Sequence, residues 1–233
     1  MHALIVHSPL VGPSTVRPLA ASLQQFGWAT TVPDARPGVG SPASFRRHVA
    51  SAAGDATGRL VDVLIGHSGA GAFLPVLAAD VGARSVVFVD AVVPPREGSA
   101  GATPQLLALL DALPVTAGQL PPWHEWWPAE LVARLVPDAT ARQALAAEMP
   151  QVPRSFYDET VPVPPGWPSR PAAYLRLSPA YEEDHARAVA WGWPAVGLSG
   201  GHLDLFTRPS FVADHVRRLV DRLDTSAGPA APA

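Results

Sequence analysis

Cysteine is absent from the 233 residues, which excludes disulfides, thiolate nucleophiles and cysteine-type zinc sites. Lysine is absent too, since all 17 basic residues are arginine. They form no polybasic block, and against 20 acidic residues they leave a formal charge of -3. The chain therefore lacks the electrostatic footprint of a protein that binds nucleic acid or an anionic membrane. Charge of either sign is scarce, at 16% of residues against 48% hydrophobic, which is too apolar for disorder and enough for one sizeable core. Long apolar runs are missing as well. No stretch approaches membrane-spanning length, and Met1-His2-Ala3-Leu4-Ile5-Val6-His7 has neither a basic start nor a long apolar centre, so neither a membrane span nor a signal peptide is expected. The expectation is a soluble, cytoplasmic protein. Arginine in place of lysine, with 27 prolines and many alanines, suggests a GC-rich coding sequence such as a bacterial one, with secondary metabolism a natural setting.

What is present is an alternation of buried strands and amphipathic helices. Ala3 to Val6 is a short apolar run and Trp28 to Val32 is rich in β-formers, while Leu60 to Ile65 and Ser85 to Val89 are runs of the kind found in parallel strands covered on both faces. Helical patterns follow them at Pro13 to Phe26, Ser44 to Ala56 and Ala70 to Val81. The alternation resumes at Ala172 to Leu177, Tyr181 to Ala190, Pro194 to Leu198 and Ser210 to Leu223. This order predicts an α/β fold: a mostly parallel sheet with helices on both faces and ligands at the carboxyl ends of the strands. Between Pro94 and Pro168 proline recurs, tryptophan clusters, and helical stretches such as Gln105 to Leu113 and Ala129 to Val136 are broken by loops. The expected organisation is a core of 1–93 and 169–224, a helical lid inserted at 94–168, and a flexible tail at 225–233.

One turn carries chemistry. Gly66-His67-Ser68-Gly69-Ala70-Gly71 is of the G-x-S-x-G kind, with Ala70 in the last place and Gly71 after it, and it joins a buried strand to a helix, as a nucleophile elbow must. Small residues two places either side of the serine let the chain turn sharply enough to present Oγ. Gly69 N-H, at the helix start, then faces any oxyanion that forms. An ordinary glycine-rich turn with an incidental serine is the plain alternative, and the strand-helix context argues against it. His202, in Gly200-Gly201-His202-Leu203-Asp204 after the last strand, is placed to act as base toward Ser68.

With His7-Ser8 at the end of the first strand, the elbow, Phe88-Val89-Asp90-Ala91 and Gly201-His202, the chain resembles the α/β-hydrolase superfamily, especially small lidded members similar to methyl-ester esterases and hydroxynitrile lyases. The resemblance implies a Ser-acid-His triad. The acid usually follows the penultimate strand, but Leu177-Ser178-Pro179-Ala180-Tyr181 offers no carboxylate before Glu182. Asp90, where some members carry the acid, is therefore preferred and Glu182 is the alternative. The resemblance also implies an oxyanion donor near Ser8, yet Pro9 has no N-H. Leu10 is the substitute, and without it the hole is weak.

Trp123, Trp126 and Trp127, with His124 between them, form either an aromatic wall over an apolar substrate or the packing underside of the lid. His67, at a strand end, and Tyr181, at a helix start, join them as candidate substrate contacts. The reading is a serine hydrolase acting on an ester, thioester or lactone of a largely apolar small molecule, with no metal and no organic cofactor. Its rivals are a lyase or cyclising tailoring enzyme that uses the same Ser/His pair, and a ligand-binding receptor on this fold.

Overall fold

The computed structural model describes residues 1–57 and 60–226. Its main sheet has six strands: β1 (His2–Val6), β2 (Ala29–Thr31), β3 (Val63–Ser68), β4 (Ser85–Ala91), β7 (Ala172–Arg176) and β8 (Ala195–Gly197). They pair in the order β2-β1-β3-β4-β7-β8, and every pairing is parallel. Crossovers containing helix α1 (Arg17–Gln25), α2 (Pro42–Thr57), α3 (Leu74–Asp80) and α7 (Glu182–Ala190) join strands, because parallel neighbours need a long return path, and the short α8 (Asp204–Thr207) and the terminal α9 (Pro209–Ser226) follow the last strand. The expected α/β class is the observed one.

Successive residues of the central strands feed different cores. Leu4, Val6, Leu64, Val86 and Phe88 pack with α2 and α3 through Phe45, Val49, Leu74 and Leu77. Ala3, Ile5, Val63, Ile65, Val87 and Val89 pack with α1 and α9 through Leu19, Leu23, Val212, Val216 and Leu219. A strand whose side chains alternate between two covered faces has no polar face, which is why these runs read as continuously apolar. Each fully buried Leu, Val or Phe contributes roughly 1.5–3 kcal/mol, so the sheet is the rigid part of the molecule.

Two expectations change in detail. The elbow helix starts as a 3-10 turn at Gly69–Phe73 and becomes α-helical only at Leu74, where Pro75, already fixed in φ, suits the first turn. The expected tail is shortened at its start, because Thr225 and Ser226 belong to α9; positions 227–233 lie outside the described residues. Residues 94–168 contribute a small antiparallel pair, β5 (Ser99–Ala100) with β6 (Val161–Pro162), and the helices α4 (Pro104–Asp111), α5 (Ala129–Leu135) and α6 (Ala139–Ala147). Of these, α6 and the strand pair were not foreseen. Arg187 and Asp184 of α7 hold the beginning of this insert, bonding the carbonyl and N-H of Val93 at 2.6 and 2.8 Å. Among the described residues no helix is long and apolar enough to cross a membrane.

Candidate active site

Ser68 ends β3 with φ 58 and ψ -129, a conformation non-glycine residues rarely adopt and one that costs on the order of 1–3 kcal/mol. The neighbouring strand makes room for it. The register of β3 against β4 slips between His67 and Ser68, so that His67 faces Val89 and Ser68 faces Ala91. Asp90 is the extra residue, with φ 45, and such a bulge re-aims the side chain it carries. Gly71 is forced by the same crowding, since a Cβ there would lie 2.0 Å from the Val92 carbonyl oxygen.

The bulge turns the Asp90 carboxylate into a fully buried pocket. Its Oδ1 accepts from the N-H groups of Leu177 and Ser178 at 2.8 and 2.9 Å, and Oδ2 accepts from Ser178 Oγ at 2.6 Å. The His202 Nδ1 lies 2.7 Å from Oδ2. Burial alone would raise the Asp90 carboxyl, but the bonds from His202 and Ser178 reverse this and hold it below the ordinary aspartate value. An ionised Asp90 fixes the His202 proton on Nδ1 and leaves Nε2 bare. Glu182 is elsewhere: it is mostly exposed and pairs with Arg176 and His185. The alternative acid of the sequence reading therefore has no contact with His202, because the turn after β7 directs that residue outward.

His202 is carried by a tight loop in which Gly201 N-H donates to Asp204 Oδ2 at 3.0 Å. Gly200 is required there, for a Cβ would fall 2.0 Å from the Asp204 carboxylate. His67 secures the loop from the elbow side: its Nε2-H donates to the His202 carbonyl at 3.0 Å, and the two rings stack at 4.4 Å. Burial, and secondarily the neighbouring His202, pushes His67 down to about 3, so it stays neutral. His67, expected as a substrate contact, is thus a support of His202 and only 2% exposed.

Tyr181 also stacks on the His202 ring, at 5.2 Å and 14°. Its Oη lies 3.0 Å from Ser68 Oγ. In this conformation the serine hydroxyl is bonded to the tyrosine and not to His202. Burial pushes the Tyr181 phenol well above its usual value, so it is protonated.

On the expected oxyanion side, Gly69 N-H opens the 3-10 turn and has no acceptor within that turn. The Leu10 N-H is directed at Ser8 Oγ at 3.3 Å, and Val11 N-H donates to the Ser8 carbonyl at 3.2 Å. Leu10 is therefore engaged by the loop it was expected to serve.

The space beside Ser68 is small. Ser8, Leu10, His67, Trp123, His202 and Leu203 enclose a void of about 10 Å³, room for a water molecule and no more. Behind Trp123 and Leu203 lies an apolar cavity of about 300 Å³ in the insert, lined also by His124, Val132, Leu145 and Met149. A second apolar cleft of about 80 Å³ lies against Pro9 and Gly69, between Phe73 and Tyr157. Of the three tryptophans only Trp123 borders Ser68, its ring 6.4 Å from that of His202. Trp126 and Trp127 turn away into the insert's own core with Leu110 and Leu120, and Trp126 Nε1-H donates to the Pro121 carbonyl at 2.8 Å. They are packing residues.

Sequence reasoning missed Ser178 and Asp204, the groups that hold Asp90 and the His202 loop. A hydroxyl directly after the penultimate strand, where a carboxylate was sought, was the available signal for the first. Among the described residues no three His, Asp or Glu side chains converge as metal ligands.

The same fold recurs in solved structures. The chain is similar to tomato Methylketone Synthase I, crystallised with 2-tridecanone (11% identity, TM-score 0.71, 95% of this chain and 98% of that one). It is similar to the methylesterase MES16 from Arabidopsis (15%, 0.69, 95% and 99%). It is similar also to a pyrethroid hydrolase from Sphingobium faniae JZ-2 (18%, 0.67, 95% and 97%). No curated protein matches the sequence. The model of the alpha/beta hydrolase family matches residues 3–215, nearly the whole sheet together with Ser68, Asp90 and His202, and the chain belongs to that family.

Proposed function

We propose that this protein is a serine hydrolase that cleaves an ester, thioester or lactone of a largely apolar small molecule through an acyl-enzyme. The observation that carries the reading is the 2.7 Å contact of His202 with a buried Asp90 beside a strained Ser68. Asp90 fixes the imidazole tautomer, so Nε2 can take the Ser68 proton as Oγ attacks the carbonyl and return it to the leaving group. Water then repeats the sequence on the acyl-enzyme. For His202 to do this, Ser68 Oγ must turn from Tyr181 toward Nε2, a rotation about one side-chain bond. The apolar cavities on either side of the site favour an apolar substrate, and the ester-cleaving names among the structural neighbours agree with it. Opening of the insert at Trp123, as a lid, would admit the substrate.

A second reading has its own observation. Pro9 has no N-H and Leu10 N-H is bonded to Ser8, so backbone support for a tetrahedral oxyanion is thin, which suits a lyase in which Ser68 and His202 only move a proton. Turnover of a panel of aliphatic and aryl esters separates the two readings. Ester hydrolysis with an initial burst of alcohol, abolished in Ser68→Ala and His202→Ala by roughly a million-fold, is the expected result. Residual activity within about tenfold of wild type in Ser68→Ala would refute the nucleophile.

A further inference from the structure

Strand β7 ends where members of this fold usually place the acid, and here the acid has moved to the β4 bulge. The vacated loop delivers two hydroxyls instead: Ser178 to Asp90 and Tyr181 to Ser68. We propose that Tyr181 is a catalytic residue, whose Oη-H donates a hydrogen bond to the oxyanion formed when Ser68 attacks. The proposal rests on the reading of Ser68 as nucleophile.

Three observations carry it. Oη is 3.0 Å from Ser68 Oγ in the resting rotamer, so the turn of Oγ to His202 Nε2 leaves the phenol O-H without its acceptor beside the carbon under attack. Backbone donors on the opposite loop are spent or missing, with Leu10 N-H on Ser8 Oγ, Val11 N-H on the Ser8 carbonyl, and none on Pro9. The phenol is held in place by its stack on His202 and kept protonated by burial, so it is a fixed donor. A donor aimed in advance at developing charge costs no reorganisation during the reaction.

In the step itself, His202 Nε2 takes the Ser68 proton, the Oγ-C bond forms, and the carbonyl π pair moves onto its oxygen. The Tyr181 hydrogen bond passes from Oγ to that oxygen, and the phenol keeps its proton. On collapse the pair re-forms the carbonyl, the bond to the leaving group breaks, and that group takes the proton from His202. In deacylation water attacks the acyl carbon as His202 takes its proton, and on collapse the bond to Ser68 Oγ breaks, Oγ takes that proton back and the acid product leaves.

Tyr181→Phe tests this, since it keeps the ring and its stacking and removes only the hydroxyl. Expected is a fall in kcat of roughly 100- to 1,000-fold on an ester the wild type hydrolyses, with KM changed by less than about threefold. Phosphonylation of Ser68 by a fluorophosphonate should slow in parallel. An unchanged kcat/KM would overturn the role, as would a faster enzyme, which would mark the phenol as a plug over the nucleophile. A raised KM with kcat intact would overturn it too and make Tyr181 a binding contact. Ser68→Ala in the same assay keeps the two questions apart. Full turnover there defeats the nucleophile reading itself, whereas lost turnover there with full rate in Tyr181→Phe defeats only this proposal.

Discussion

The two flanks of Ser68 are built from different material. On the base flank, Asp90 and His202 come from β4 and the loop after β8, and their contacts are short, buried and mutually bonded. On the expected oxyanion flank, Ser8 to Val11 form a loop whose N-H groups serve the loop itself, and the hydroxyl that meets the serine belongs to Tyr181, which comes from the loop after β7 and stacks on His202. The difference teaches where rigidity comes from. Strand ends in a sheet with two packed faces fix backbone positions closely, so one extra residue in β4 is enough to aim a carboxylate. Loops fix them less closely, and there a side chain can take over a job the backbone has given up.

Substitutions can break this contrast in order of severity. Asp90→Asn keeps the shape of the bulge but offers a neutral amide to Nδ1, so the tautomer of His202 is no longer fixed. A loss of about 10,000-fold in kcat is expected from steady-state kinetics on a wild-type ester substrate. If Asp90→Asn keeps more than a tenth of the rate, the base flank does not have the importance claimed for it. Tyr181→Phe should cost less than Asp90→Asn, because the Gly69 N-H still faces the oxyanion and proton transfer survives.

Trp123→Ala probes the boundary between the small void at Ser68 and the larger cavity in the insert. A ten- to hundredfold drop in kcat/KM is expected, corresponding to about 1.4–2.7 kcal/mol of lost contact in the transition state, and it should grow with the size of the apolar substrate. Trp126→Ala should instead lower thermal stability, since that ring is packed away from the site. If both variants lose kcat/KM with the same substrate dependence, the assignment of Trp123 alone to the site fails.

The smallest effect is on stability against pH. His67 falls to about 3 in the folded chain from an ordinary 6.5, so between those values the unfolded chain binds more protons than the folded one. The contribution is complete above about pH 6.5 and is lost as the pH drops, by roughly 2 kcal/mol at pH 5. His7, also buried and lowered, acts in the same direction. Urea unfolding at pH 7 and pH 5 should show this loss in the wild type and a smaller one in His67→Gln; equal losses would mean that His67 is not the buried neutral support described.

The base flank was legible in the sequence because its parts are tied to strand ends, which apolar runs mark clearly. Asp90 follows from the resemblance, in which some members carry the acid at that strand end, once the segment after Leu177 shows no carboxylate before Glu182. The oxyanion flank was legible only as a deficit, through Pro9. That Tyr181 meets Ser68 depends on the path of a loop linking residues 113 positions apart, and no local pattern records such a path. The tryptophans show the same limit. Three rings in five residues announce an apolar surface, but which ring faces the site is decided by the 3-10 turn at Trp123–Trp126, a conformation that periodicity does not reveal.

The most direct test of the account is the site of covalent modification. Wild-type protein treated with a fluorophosphonate, digested and read by tandem mass spectrometry should carry one phosphonyl adduct on Ser68, and a slowly hydrolysed ester should leave its acyl group on the same residue. Ser68→Ala should carry neither. An adduct on any other residue, or ester turnover that continues in Ser68→Ala, would contradict it.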